Sequence, residues 1–301
     1  MTSLVAIVGP TASGKSELAI SLAMAVGGEI INADSMQLYE GMNIGTAKLT
    51  DVEQRGIRHH LLSVWPVTKT ATLAEFQQLA LEVVTDVQSR GAVPILVGGS
   101  GMYVQSVVDR WTIPGTDPAI REALNAELER VGPKALYERL LLLDPSAASA
   151  ILPTNGRRIV RALEVINLQG TFKAELPREL DTAGRVLIGM QIPRADMDDR
   201  ISLRVDRMWS GGLTAEVEGL VAKGLREGVT ARQALGYAQV LSWLDGEISE
   251  KQAMERTVQA TKRFARRQES WFRRDPRVAW LPYDSSDLVD LAVSAVAATR
   301  R

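Results

Sequence analysis

The sequence predicts an α/β protein in which a doubly wound parallel sheet carries a helical insertion. Two observations support this fold class. Short apolar runs rich in β-branched residues alternate with helical segments between residues 4 and 97, which is the pattern of a parallel sheet with crossover helices. Helical segments broken by prolines then replace the strands in the middle of the chain, before a strand-like run returns.

The first half of the sheet is predicted as strand, helix, strand, helix, strand. The strands are buried apolar runs, and the second and third each follow a glycine that ends the preceding helix. The predicted elements are the strand Leu4–Val8, a helix over Glu17–Met24, the strand Glu29–Ala33, a helix over Thr72–Arg90 and the strand Val93–Val97.

The pattern changes near Pro114. From Asp117 to about Leu180 the sequence is helical, and Arg185–Ile192 then returns to strand-like character. We therefore predict an α/β core formed by residues 1–113 and 183–301, interrupted by a helical insertion domain at 114–182. Within the second core segment we predict helices over Asp196–Glu269 and a last helix over Ser285–Arg301.

The composition excludes several classes of chemistry. The 301 residues include 35 Lys and Arg, 36 Asp and Glu, two histidines and no cysteine. Disulfides, thiol catalysis and thiolate zinc sites are therefore excluded. The N-terminus lacks a signal-peptide pattern and no apolar run is long enough for a membrane span, so we expect a soluble, cytoplasmic monomer with no membrane partner.

A phosphate-binding loop follows the first strand. Gly9, Pro10, Thr11, Ala12, Ser13, Gly14, Lys15 and Ser16 match the pattern G-x-x-x-x-G-K-S/T without a mismatch. In a strand–loop–helix context, backbone amides and the helix N-terminus bind phosphates, Lys15 reaches the terminal phosphates and Ser16 ligates Mg²⁺. The fold class is accordingly predicted as a P-loop NTPase-like sheet, and a chance match is the alternative.

An acidic residue follows the second strand. Asp34 emerges at the same edge of the sheet as the phosphate loop, because the carboxyl ends of parallel strands meet there. It could ligate magnesium, accept a proton or simply cap the next turn. The strand Val93–Val97 runs into Gly98-Gly99 rather than an acid, which favours diphosphate as a leaving group over nucleotide hydrolysis.

A series of motifs resembles the bacterial tRNA dimethylallyltransferases, the tRNA isopentenyltransferase family. The motifs follow the family's order over nearly the whole chain, with Leu49 where the family often has proline. They are Gly9–Ser16, Asp34–Tyr39, Gly45–Lys48, Gly98–Tyr103, Asn155–Arg158, Arg161–Glu164, Arg200, Ile201, Arg204, Met208, Gln233–Tyr237, Thr261–Gln268 and Trp271-Phe272.

The resemblance implies transfer of a dimethylallyl group from dimethylallyl diphosphate to N6 of the adenosine 3′ of the anticodon. Asp34 would accept the N6 proton, while Lys15, Mg²⁺ on Ser16 and an arginine of the Arg200/Arg204 pair would stabilise the departing diphosphate. The alternative for the two arginines is a solvated helix face that pairs with Asp196, Asp199 or Asp206.

The resemblance also implies a set of contacts with the tRNA anticodon stem-loop. The basic segment Lys262–Arg277 contains interleaved aromatic residues and fits an RNA-binding face, although a solvated amphipathic helix is the alternative. Gly101 is expected where the backbone approaches RNA. The implied tRNA contacts are Asp34, Ser35, Met36, Gln37, Gly101, Asn155, Gly156, Arg157, Arg158, Gln233, Gly236, Lys262, Arg263, Arg266 and Arg267.

Three other functions are compatible with parts of the sequence. A small-molecule P-loop kinase would share the loop and the acid after the second strand, but it would not explain the basic segment. An adenylate isopentenyltransferase acting on free nucleotide would share the chemistry without needing a long RNA-binding part. A non-catalytic RNA-binding module would not need Asp34, Lys15 and Ser16 together.

Overall fold

The computed structural model describes residues 3–173 and 184–298. The chain divides into two compact units, one formed by Met1–Arg110 with Asp181–Arg301 and the other by Trp111–Leu180. The predicted helical character of residues 174–180, the predicted domain boundary at 182/183 and the last three residues of the predicted C-terminal helix lie outside the described residues.

The first unit is built on a parallel sheet, as the sequence predicts. Within the described residues the sheet has six strands in the order β3-β2-β4-β1-β5-β6, so the chain winds outward from β1 in both directions. The strands are β1 (Leu4–Val8), β2 (Gly28–Asn32), β3 (His59–His60), β4 (Val93–Gly98), β5 (Arg185–Gln191) and β6 (Val278–Pro282). The predicted α/β class and doubly wound sheet are confirmed.

Both faces of the sheet are covered, which explains why its central strands are continuously apolar. In β1, Leu4, Ala6 and Val8 pack on one face, and Val5 and Ile7 pack on the other. The first face is covered by α2 (Leu73–Ser89) and α3 (Gly101–Val108) among others, and the second by α1 (Lys15–Val26) and α11 (Leu288–Ala298). Because α1 follows β1 after a short loop, the N-terminus of α1 lies at the carboxyl end of β1.

A group of helices follows β5 and packs on the first face of the sheet or beside the loop after β1. Glycines separate its helices, at Gly211-Gly212, at Gly224 and Gly228, and at Gly246. They are α7 (Arg194–Ser210), α8 (Leu213–Val221), a 3₁₀ turn at Ala231–Gln233, α9 (Tyr237–Leu244) and α10 (Glu250–Phe272). Ser249 and Gln252 form a capping box that fixes the start of α10.

The second unit is helical and has its own core. It contains α4 (Pro118–Leu143), α5 (Pro145–Ser149) and α6 (Gly156–Gln169), and α4 is interrupted at Gly132 by a non-helical φ of 76°. Glu164 is completely buried and accepts hydrogen bonds from Arg121 and Arg161. A buried carboxylate must be paired, so these arginines belong to the fold of the insertion.

Three elements of the first unit were not predicted. The strand β3 has two residues, and the edge strand β6 contains the exposed Ala279 and ends in Pro282, so neither gives a clear strand pattern. Helix α3 was missed because its glycine-rich start indicates a turn. The last helix begins at Leu288, later than the predicted Ser285, because residues Asp284–Asp287 form turns.

Candidate active site

The loop after β1 has the backbone conformation of an anion cradle. Gly9 has a φ of 138° and Gly14, the N-cap of α1, has a φ of 92°, values that side chains rarely tolerate. Ala12 also has a positive φ of 64°. A Cβ on Gly9 would lie 3.3 Å from the backbone of Met190 in β5, so this glycine also permits close packing against the neighbouring strand.

Gln268 of α10 holds the loop in place. The Thr11 backbone N–H donates to Gln268 Oε1 at 2.8 Å, although the two residues are 257 positions apart. A Cβ on Gly99 would lie 2.1 Å from Gln268 Nε2, so the glycine after β4 makes room for this buried amide. Sequence reasoning did not assign Gln268 a role; the signal available was its place at the end of the motif Thr261–Gln268.

Lys15 lies at the base of the loop and is perturbed by its surroundings. Its Nζ donates to the Pro10 carbonyl at 2.5 Å. Burial, and then the nearby charge of Arg204, lower the pKa of Lys15 to about 7, while Asp34 acts in the opposite direction. The buried Ser13 Oγ has no hydrogen-bond partner within the described residues. Because buried polar groups are normally paired, an unpaired hydroxyl beside a buried lysine is suited to binding an anion.

Arg204 and Arg200 lie one helical turn apart on α7 and have different surroundings. Arg204 Nη1 donates to Thr11 Oγ1 at 3.0 Å, and its Nη2 donates to the Thr46 carbonyl at 3.3 Å. Burial lowers the pKa of Arg204, and Asp34 partly offsets this. The exposed Arg200 lies 5.2 Å from the ring centroid of Tyr283. The alternative of a solvated helix face is therefore wrong for Arg204, which faces the loop.

Asp34 follows β2 at the expected edge of the sheet. The Met36 N–H donates to Asp34 Oδ1 at 2.9 Å, and the Asp34 N–H donates to Asn32 Oδ1 at 2.9 Å. The turn-capping interpretation is thus correct for one carboxylate oxygen. The negative charge of the carboxylate also raises the pKa values of Lys15 and Arg204, which partly offsets the effect of their burial.

These groups line one cavity of about 560 Å³ within the first unit. The lining includes residues 11–16 of the loop, Arg200 and Arg204, and also Asp34 and Gln37. The described residues contain no cluster of three or more His, Asp or Glu suited to a metal ion. Mg²⁺, however, typically uses one or two protein oxygens together with phosphate oxygens, and the Ser16 hydroxyl on this cavity fits that requirement.

The segment after Asp34 contributes Gln37 to the cavity lining. Gln37 Nε2 donates to the Thr46 carbonyl at 3.1 Å, and Thr46 is buried. Ser35 and Met36 are half-buried and do not line the cavity, although Met36 packs against the core. Of the predicted tRNA contacts after β2, Asp34 and Gln37 are therefore the two that the structure brings to the phosphate loop.

Gly101 packs against Trp271 of α10, and the predicted approach of its backbone to RNA stays a prediction. Its φ does not lie in the left-handed region, and a Cβ at this position would lie 2.2 Å from Trp271 Cδ1 and Nε1. Trp271 Nε1 also donates to Gln105 at 2.9 Å. The close approach that requires glycine here is therefore the packing of Trp271 on α3.

The basic segment of α10 has an exposed face. Arg263 and Arg267 are exposed, while Lys262 and the exposed Arg266 lie 3.9 and 3.3 Å from Asp198 of α7. Arg277, by contrast, forms ion pairs with the buried carboxylates of Asp109 and Asp275. The exposed arginines of α10 are thus available to a partner, whereas Arg277 is part of the fold.

The remaining predicted contacts lie elsewhere. Gln233 is exposed and donates to the Val229 carbonyl, and the buried Gly236 has a φ of 88° at the start of α9; neither lines the cavity. In the insertion, Asn155 caps α6 by accepting from the Arg158 N–H at 3.2 Å, and a Cβ on Gly156 would lie 2.8 Å from Leu128. Arg157 and Arg158 are exposed.

The sheet, the loop conformation and the cationic cavity define a protein of the phosphate-binding-loop class. The model of the IPP transferase family matches residues 37–275. The chain belongs to this family, which confirms the predicted resemblance and the predicted class of enzyme, a transferase. Among the described residues, no helix has the length and apolar character required to cross a bilayer.

Relatives and solved structures agree with this assignment. The chain is 58% identical to the tRNA dimethylallyltransferase of Thermobifida fusca, over 98% of this chain and 95% of that protein. It is 57% identical to the enzyme of the same name from Streptomyces coelicolor, over 97% and 95%.

Among solved structures, the tRNA isopentenylpyrophosphate transferase of Bacillus halodurans matches with a TM-score of 0.74 at 36% identity, over 100% of this chain and 98% of that chain. A eukaryotic dimethylallyltransferase acting on tRNA has the same fold, with a TM-score of 0.82 at 23% identity, over 100% of this chain and 80% of that chain.

Proposed function

We propose that this protein transfers a dimethylallyl group from dimethylallyl diphosphate to N6 of the adenosine 3′ of the anticodon in tRNA. The products are N6-dimethylallyladenosine and diphosphate. The observation that carries the proposal is that one cavity joins a cationic phosphate loop to the carboxylate of Asp34. The names of the 54–58% identical relatives support the choice of acceptor and donor.

The phosphate loop and α7 provide the groups that bind the diphosphate. Negative charge grows on the diphosphate as the allylic C–O bond breaks, so donors fixed in advance favour the transition state. The amides of residues 12–16, Lys15 and Arg204 supply that stabilisation. Since Arg204 is already held by Thr11 and Thr46, little reorganisation is needed when the ligand enters.

Asp34 acts on the acceptor, the adenine base. The exocyclic N6 of adenine is a poor nucleophile because its lone pair is delocalised into the ring. As the new C–N bond forms, one N6 proton passes to the Asp34 carboxylate, a step typically worth about 10²–10⁴-fold in rate. The hydrogen bond from Met36 N–H to Oδ1 fixes the orientation of the carboxylate, and Oδ2 is the oxygen that we assign to the proton.

We propose Mg²⁺ as the cofactor, held by the Ser16 hydroxyl together with diphosphate oxygens. When bound, the ion neutralises part of the charge on the leaving diphosphate. Ser16 lies in the first turn of α1 and lines the cavity beside Lys15. The chain's own contribution is therefore one hydroxyl ligand and a surrounding set of cations.

The tRNA is proposed to bind through its anticodon stem-loop. The target base must leave the stack of the loop to reach Asp34, as enzymes that modify bases require. Gln37 lies on the cavity beside Asp34 and has an amide suited to reading a base edge. The exposed Arg263 and Arg267 of α10 provide phosphate contacts, and the insertion unit provides Arg157 and Arg158.

We propose a monomer, because residues of one chain line the whole cavity. We also propose a cytoplasmic location, because the proposed substrate is tRNA. The test mixes the protein and Mg²⁺ with labelled dimethylallyl diphosphate and either tRNA or adenosine monophosphate, without ATP. Label in tRNA is the expected result. Label in the mononucleotide would instead indicate a free-nucleotide isopentenyltransferase, and no transfer to either would refute both transferase assignments.

A further inference from the structure

Glu216 of α8 makes an unusual set of hydrogen bonds outside the site described above. Its Oε2 accepts from the backbone N–H groups of Asn43 and Ile44 at 3.0 and 2.8 Å, and Oε1 accepts from the Gly45 N–H at 3.3 Å. Three consecutive amides of one loop thus converge on a single carboxylate. Residues 43–45 belong to no helix or strand, so this carboxylate replaces the regular pairing that the loop lacks.

Tyr237 completes the arrangement from the first turn of α9. Its hydroxyl donates to Glu216 Oε1 at 2.5 Å, and its ring is fully buried. A Cβ on Gly45 would lie 2.4 Å from the ring, so the ring packs directly against the loop backbone. Burial, together with the Glu216 charge, raises the pKa of Tyr237, and the hydroxyl therefore keeps its proton and remains a donor.

The loop held in this way carries a backbone carbonyl that contacts two residues of the cavity lining. Thr46 follows the clamped amides directly, and its carbonyl accepts from Arg204 at 3.3 Å and from Gln37 at 3.1 Å. Arg204 also contacts Thr11 of the phosphate loop. The position of one backbone carbonyl therefore affects a cation at the diphosphate end and an amide at the acceptor end.

We propose that Glu216 and Tyr237 are positioning residues that set the distance between the leaving group and the acceptor base through residues 43–46. This inference rests on the proposed function, since it assigns the two ends of the cavity to diphosphate and adenine. Neither Glu216 nor Tyr237 lines the cavity. They act by fixing Thr46, and through it Arg204 and Gln37.

The test uses Glu216→Gln, Glu216→Asp and Tyr237→Phe in the full chain, with Glu218→Gln as the matched control. Glu218 lies on the same helix and is exposed, so its variant removes the same charge without touching the loop. Hydrogen exchange is followed in a peptide that covers residues 42–48. The kcat for transfer to tRNA and the Kd for dimethylallyl diphosphate are then measured. A thermal unfolding transition verifies beforehand that each variant is folded.

We expect faster exchange at residues 43–45 and a fall in kcat of roughly 10- to 100-fold for Glu216→Gln, the range that a misplacement of about 1 Å produces. The Kd for dimethylallyl diphosphate should change less than about threefold, because the phosphate loop is held independently of residues 43–46. Gln268 of α10 accepts from the Thr11 N–H, and Lys15 donates to the Pro10 carbonyl within the loop. The kcat of Tyr237→Phe should fall less than that of Glu216→Gln. The kcat of Glu216→Asp should lie between those of Glu216→Gln and the wild type, because aspartate keeps both carboxylate oxygens.

Two results with the Glu216→Gln variant would overturn the proposal while leaving the proposed function intact. Unchanged exchange at residues 43–45 in Glu216→Gln would show that the carboxylate does not hold the loop. Faster exchange with a kcat equal to that of Glu218→Gln would show that the loop is held for stability alone. A wild-type protein that transfers nothing to tRNA would overturn the proposed function and this inference together, whereas an active wild type with fully active variants would overturn the inference alone.

Discussion

Binding of an allylic diphosphate should take up a proton at Lys15. In the free protein the pKa of Lys15 is lowered to about 7 by burial and by Arg204, so at pH 8 about one-tenth of the molecules carry the charge. An anion against Nζ offsets both effects and favours the ammonium form. Binding at pH 8 should therefore take up about 0.9 proton, and this group alone should weaken affinity about tenfold per pH unit above ~7.5.

The assay is titration calorimetry with dimethylallyl diphosphate at fixed Mg²⁺, in buffers of different ionisation enthalpy at pH 6 and pH 8. The organic diphosphate has its last ionisation near ~6, so it contributes little proton exchange at pH 8. Lys15→Arg is the matched control because arginine keeps its charge at both values, and its uptake at pH 8 should be close to zero. Equal uptake by wild type and Lys15→Arg at pH 8 would refute the reasoning.

Three further outcomes are expected. Arg204→Lys keeps the charge but loses the two-pronged contact with Thr11 and Thr46, so kcat at saturating substrate should fall about 10²-fold; a kcat within twofold of wild type would contradict this. Gly101→Ala places a methyl 2.2 Å from the Trp271 ring and should cost about 1–3 kcal/mol in urea unfolding, which an unchanged midpoint would refute. Affinity for tRNA should fall linearly with the logarithm of salt concentration, and replacing Arg263 and Arg267 together by alanine should reduce that slope by about 2; a flat salt dependence would exclude phosphate contacts.

Local patterns in the sequence were enough to predict the core of the fold. The strand–loop–helix at residues 4–26 combines a buried apolar run, two glycines and the phosphate-loop motif. Each of these signals depends only on residues that are close together in the sequence. Asp34 was assigned correctly to the same edge of the sheet because parallel strands fix where their carboxyl ends meet. Short edge elements such as β3 and β6 were missed, since their pairing depends on distant neighbours.

The supports of the site were harder to predict than the residues that line it. Gln268 reaches the phosphate loop across 257 positions, and Glu216 reaches the loop at 43–45 across more than 170. No local periodicity encodes such contacts, because they arise from the packing of α8 and α10. Gly101 illustrates the same point, since the tryptophan that demands a glycine there lies on a different helix.

The most direct test of the central claim is the transfer of a dimethylallyl group to tRNA by wild type and by Asp34→Asn. Nucleosides from the reacted tRNA are identified by mass, and the binding of tRNA and of dimethylallyl diphosphate is measured for both proteins. The account predicts N6-dimethylallyladenosine from the wild type. For Asp34→Asn it predicts a rate lower by about 10²–10⁴-fold with both substrates still bound. Near-normal turnover by Asp34→Asn would contradict the assignment of Asp34 as the base.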